Sequence, residues 1–188
     1  MSKVERLLQL AQELADQSVG FFEIAGPGAG DRRTHTFMRE LLRRANDLFE
    51  QDLSEQKICG DNNLAVDFFI PEESTIVEVA LRSCNPNTEF EHDILKTLMA
   101  QEAGHPVSQL VFLAKPEANY RYAQPGSRAI VAWAERNHEL RVEIRELTAA
   151  SFGCKQVCDG ELIRSRSRVP GVPCSRDDAE AGRAPIER

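Results

Sequence analysis

Two acids stand in the middle of apolar runs: Asp67 within LAVDFFI (Leu64–Ile70) and Glu78 within TIVEVALR (Thr75–Arg82), with PEES between the runs. Short β-branched and aromatic runs joined by a brief turn predict an antiparallel hairpin. Aspartate is depleted in strands, so Asp67 between Val66 and Phe68 needs a reason. Alternation puts Ile76, Glu78, Ala80 and Arg82 on one face, and Ala65, Asp67 and Phe69 together on one face of the first strand. Facing residue numbers in an antiparallel pair have a constant sum. If Asp67 faces Glu78, the strands close on Pro71 and Ser74, with Glu72 and Glu73 at the tip; a slip of one residue would put the acids on opposite faces. Opposed carboxylates repel. A hard divalent cation, Mg²⁺ or Mn²⁺, held by both would remove the repulsion. The plainer reading pairs the two acids with Arg82 or Lys57 on a half-exposed face, where ion pairs contribute little.

An acid in one hairpin strand and E-x-x in the next, with helices on both sides, resembles the PD-(D/E)xK nuclease superfamily, the restriction-endonuclease-like fold. Asp67 matches the motif's aspartate and Glu78 its second acid. Two positions depart: Val66 stands where the motif has proline, and Ala80 where it has lysine. The resemblance implies Mg²⁺-dependent hydrolysis of DNA phosphodiester bonds, with Asp67, Glu78 and the backbone carbonyl of Val79 holding the metal. In many members a glutamate on the helix before the hairpin completes the set, and Glu40 is its match here. Arg82 is the best local substitute for the lysine; as a fixed cation it could stabilise charge but not act as a base. The missing lysine is sometimes supplied from the following helix. The alternative is a non-catalytic module that holds nucleic acid or a protein on the same surface, and Ala80 favours it.

The elements that must position these residues follow from periodicity. Val4, Leu7, Leu8, Ala11, Leu14 and Ala15 predict a first helix. The glycine-rich Gly20–Gly30 lacks the Gly-Lys-Ser/Thr ending of a phosphate-binding loop and is read as a linker. Phe37, Leu41, Ala45 and Leu48 predict a helix over Asp31–Glu50, capped by Asp31 or Thr34. Glu55–Cys59 predicts a short strand. Thr88 and Glu91 form a capping box opening a helix to Ala103, stopped by Gly104 and Pro106. On that helix Ile94, Leu95 and Leu98 define the apolar side, and Lys96 points about 150° away, toward solvent. Gln109–Ala114 predicts a buried strand, Ser127–Asn137 a helix and Leu140–Leu147 a strand, an order that implies a parallel crossover.

The expected architecture is α/β: a mixed four- to five-stranded sheet flanked by helices, restriction-endonuclease-like, over residues 1–163, with 164–188 a disordered tail rich in Pro, Gly and charge. The net charge of −7 gives no basic excess of the kind nucleic-acid binders usually carry, although acidic metal ligands contribute to it. No run approaches the ~20 apolar residues a bilayer requires, and no signal-peptide core is present. Five scattered cysteines predict a reducing, cytoplasmic setting. Cys154 and Cys158 have no histidine at zinc-finger spacing (His35, His92, His105 and His138 all fall elsewhere), so zinc is not expected. DNA is the expected partner, with a homodimer left open and a membrane not expected.

Overall fold

A computed structural model describes residues 1–22, 32–81, 86–116 and 118–149. Asp31, the Gly-rich loop beyond Phe22, Arg82, Cys154, Cys158 and the 164–188 segment lie outside them. Helix α1 (Lys3–Gln17) buries Val4, Leu7, Ala11, Leu14 and Ala15, as its spacing predicts. Ser2 caps it by accepting the Glu5 N–H at 3.1 Å. Helix α2 (Arg32–Phe49) lies against α1, with Phe37, Leu41 and Ala45 buried.

The sheet has five strands in the order β1-β2-β3-β4-β5. Strands β1 (Ser54–Gln56), β2 (Val66–Ile70) and β3 (Thr75–Ala80) are antiparallel neighbours; β4 (Gln109–Ala114) and β5 (Arg141–Glu146) run parallel to β3. The expected mixed α/β sheet flanked by helices is therefore present. Pairs Phe68 with Val77, Phe69 with Ile76 and Ile70 with Thr75 set the hairpin register that the constant sum requires if Asp67 and Glu78 are to face each other. Between the strands Pro71–Glu73 form a 3₁₀ turn, and Ser74 closes it in the left-handed region at φ 50°. The tip acids anchor α1: Glu73 accepts the backbone N–H groups of Lys3 and Val4, and Glu72 pairs with the Lys3 ammonium at 2.7 Å. A carboxylate on the first amides of a helix offsets its unpaired donors and its dipole.

Alternating strand residues feed two cores, one on each face. Phe68, Ile70, Val77, Val111 and Leu113 pack under α1 and α2. Phe69, Ile76, Leu110, Phe112 and Ala114 pack on the other face with α3 (Pro86–Glu102) and α5 (Pro125–His138), joined by Tyr122 of the short α4 (Ala118–Tyr122). Helix α3 begins at Pro86, two residues before the expected capping box, with proline in the first turn, where its missing N–H costs nothing. Helix α4 is not legible from periodicity, being only a turn long.

Candidate active site

Strand β2 leaves the ladder at Asp67. Pairing with β3 ends at Phe68 and Val77, and Val66, which alternation would place with Phe68, packs in the opposite core. Glu55, facing Asp67 from β1, is left-handed at φ 47°, so the neighbouring strand bends at the same level. In a continued ladder the Val79 N–H would meet the backbone of Val66. It is instead taken by the Asp67 carboxylate, Oδ2 accepting at 2.7 Å. The aspartate is tolerated in a strand because it replaces the backbone acceptor that the bend removes.

Asp67 and Glu78 line one cleft of about 300 Å³ between the splayed strands and α3. The two acids thus open onto one concave spot, near enough for the Asp67 charge to act on Glu78. Glu78 is 2% exposed. Among the described residues its counter-ion is not Lys57. It is Lys96, whose ammonium sits 2.7 Å from Glu78 Oε1, 2.9 Å from Asp93 Oδ1 and 3.1 Å from the Ala65 carbonyl oxygen to which it donates. Three acceptors around three N–H donors account for a lysine that is 7% exposed.

The expectation that Lys96 points to solvent is thereby corrected. The buried residues of α3 are Phe90, Ile94, Lys96, Thr97 and Ala100, whereas Leu95 is half exposed. At about 100° per residue, this buried face is centred roughly 120° round the helix from the side marked by Ile94, Leu95 and Leu98. Apolar and polar residues are so mixed along α3 that hydrophobicity alone names the wrong face. The legible signal is a polar stripe. Glu89, His92, Asp93 and Lys96 fall at i, i+3, i+4 and i+7, and all four line the cleft.

Charge in the cleft is unbalanced. Ionised Asp67, Glu78, Glu89 and Asp93 would carry four negative charges against one ammonium. Burial, then the neighbouring Asp67 and Asp93 carboxylates, push the Glu78 carboxyl up to about 9, against the opposing pull of Lys96. Burial likewise raises Asp93. Pairing with both acids outweighs burial at Lys96 and raises it, so the lysine stays charged.

The excess of negative charge and the hard oxygen donors suit a divalent cation, and two carboxylates with water suffice for Mg²⁺. Asp67 and Glu78 would supply those carboxylates. Val79 also lines the cleft, its carbonyl accepting the Leu81 N–H at 3.2 Å with a second lone pair remaining. Among the described residues no three His, Cys, Asp or Glu side chains converge closely enough to form a larger cage. Glu40 does not join this group. The cleft-lining residues of α2 are Thr34 and Met38, and Glu40 is held by its own helix, with Arg43 and Arg44 each at 2.7 Å. These guanidiniums hold its carboxyl down at about 2.

No described helix is long and apolar enough to cross a membrane. No protein-family model, curated protein or solved structure significantly matches the chain, so the site is read from its own geometry.

Proposed function

We propose that this protein is a divalent-cation-dependent nuclease hydrolysing DNA phosphodiester bonds, with Asp67 and Glu78 as cation ligands and Lys96 in place of the lysine that Ala80 denies to the hairpin. The observation that carries the reading is the ammonium of Lys96 beside Glu78 in the cleft that also holds Asp67. An acid pair with a lysine at one concave spot is the set that the sequence resemblance requires, with the lysine moved from strand to helix.

A bound cation would polarise the phosphate and make its water a better nucleophile. The protein's part is positional and electrostatic. The Val79 amide fixes Asp67, so one carboxylate enters the cleft already oriented. Lys96, held protonated by its acid partners, would act through its charge rather than a free N–H, stabilising oxygens that gain negative charge as the water attacks phosphorus and the P–O bond to the leaving group breaks. It is an electrostatic stabiliser rather than a base, because a proton so strongly held is not given up at neutral pH. Glu78 must lose its proton before it can ligate, and a proton and a cation compete for the same oxygens. Cation affinity should therefore rise by about tenfold per pH unit as pH climbs toward 9.

The test is cleavage of plasmid DNA with Mg²⁺ or Mn²⁺, alongside calorimetric Mn²⁺ titration at pH 7 and 8. Wild type should nick the plasmid. Asp67→Ala and Glu78→Ala should lose both cleavage and Mn²⁺ binding, while Lys96→Met should lose cleavage and keep binding. A wild type that neither binds nor cleaves ends the enzyme reading. The second reading, a non-catalytic binding module, is favoured by one observation: the Lys96 ammonium already has three acceptors, as a purely structural ion network would provide. On that reading DNA or a protein partner binds without divalent cation, and Lys96→Met acts through stability alone.

A further inference from the structure

Beside the acid cleft lies a second concavity of about 520 Å³, walled by α4, α5 and β5. It shares Phe90 and Tyr122 with the acid cleft, so the two concavities adjoin across one aromatic pair. Those rings stack at 4.4 Å, and Phe90 also packs on Phe112 at 4.8 Å, which makes the shared wall rigid. The second groove is apolar where Val131, Val142 and Ile144 line it, and polar at Asn119 and Arg128. An apolar slot with a few hydrogen-bonding groups at its rim is the usual build of a small-molecule site, and its volume lies in the ordinary range for one.

We infer that this groove receives the unpaired base of the nucleotide whose phosphate lies at the acid cleft, so that the substrate is a single-stranded or locally unpaired nucleic acid. The inference rests on the nuclease reading and narrows its substrate. Three observations support this occupant. The groove adjoins the acid cleft across one shared residue pair, as the sites for base and phosphate of one nucleotide must. The Asn119 amide offers both a donor and an acceptor, and Arg128 offers donors, which suits the edge of a base that has lost its pairing partner. Finally, the described lining residues of the two clefts include Asp67, Glu78, Glu89, Asp93, Glu135 and Glu143 against Lys96 and Arg128. A duplex would lay a second phosphate strand against this acid excess, whereas one strand brings a single phosphate to the cation.

Ala132 lines the groove from the exposed side of α5, so Ala132→Trp narrows the groove without altering Asp67, Glu78 or Asp93 of the acid cleft. The experiment measures Mn²⁺-dependent cleavage of one sequence as single-stranded DNA, single-stranded RNA and duplex DNA, by wild type and Ala132→Trp. A further single-stranded DNA carries an abasic nucleotide at the cleaved position. Single strands of either sugar should be cut with kcat/KM at least about tenfold above the duplex, the preferred sugar naming the natural polymer. Ala132→Trp should raise KM about tenfold on the single strand, leave kcat unchanged and have no effect on the abasic strand. Equal cleavage of duplex and single strand, or an Ala132→Trp variant indistinguishable from wild type, overturns the inference and leaves the nuclease reading standing. A wild type that cleaves none of these substrates removes the nuclease reading and this inference with it.

Discussion

Glu40 and Glu78 are the same side chain held in opposite circumstances. On the surface of α2, Glu40 is paired with two arginines at 2.7 Å each, Arg43 being shared with Asp47, and its carboxyl is held down at about 2. At the end of β3, Glu78 is buried, shares one lysine with Asp93 and has Asp67 as a neighbour, and its carboxyl rises to about 9. The contrast shows what makes an acid useful for chemistry. A carboxylate with more than enough local cation is electrostatically satisfied and has no call for another. One that is short of cation and cut off from water must take up a proton or a metal ion. Position on the helix before a hairpin marks a candidate such as Glu40; the local ratio of cations to carboxylates decides between candidates.

The largest effect should come from removing the single cation of the buried set. Lys96→Met leaves Glu78 and Asp93 without their ammonium and should cost about 3–5 kcal/mol at pH 8, read from the urea midpoint. Because the loss comes from stranded charge, adding Glu78→Gln and Asp93→Asn to the same chain should recover most of it. A triple variant no more stable than Lys96→Met would mean that packing of the lysine stem, not charge, dominates.

Next in size is the pH dependence that Glu78 imposes. Its carboxyl is raised in the folded protein from about 4.5 to about 9, so the folded state binds a proton more tightly than the unfolded chain across that window. Its contribution is therefore fully present below pH 4.5 and is lost progressively as pH rises toward 9. Without divalent cations, wild type should melt several degrees lower at pH 9 than at pH 5, and Glu78→Gln should flatten most of that slope. Mn²⁺ should flatten it too, by replacing the proton. A slope that persists in Glu78→Gln would move the titration to Asp93, which burial also raises.

Much of this arrangement is legible in the chain, and the unreadable part has a physical cause. The hairpin and its register follow from alternation and a constant sum, because a one-residue slip would turn an entire apolar face to water; the pairing stops at Phe68 and Val77, so the placing of Asp67 beside Glu78 belongs to the bend that follows. Strand β4 lies where its unbroken apolar run predicts. What periodicity misses is the inward rotation of α3. Lys96 is charged, and charge normally marks the solvent side of a helix; the buried Glu78 of β3, with Asp93 one turn back on α3, reverses that rule, and Glu78 belongs to another element. The bend at Asp67 is equally local to the fold, since the lone amide of Val79 exists only once β2 has left the ladder. Glu40 stands apart from the cleft for the complementary reason. Arg43 and Arg44, three and four residues on, could have been read as its partners from spacing alone.

The smallest effect should be that of Glu40→Gln, and its smallness is the point. With its carboxyl held down at about 2, Glu40 contributes stability that is present above the ordinary carboxylate range and disappears as pH falls from about 4.5 to about 2. The pair is exposed and screened, so at neutral pH and 0.15 M salt the melting temperature should shift by no more than about one degree. The shift should shrink further in 1 M salt. Mn²⁺ affinity and its rise with pH should match wild type, because no arginine-bound carboxylate on α2 faces the cleft. A Glu40→Gln variant that loses Mn²⁺ binding as Glu78→Ala does would mean that α2 turns when the cation arrives, freeing Glu40 from Arg43 and Arg44, and would make the arginine clamp a resting position for a third ligand.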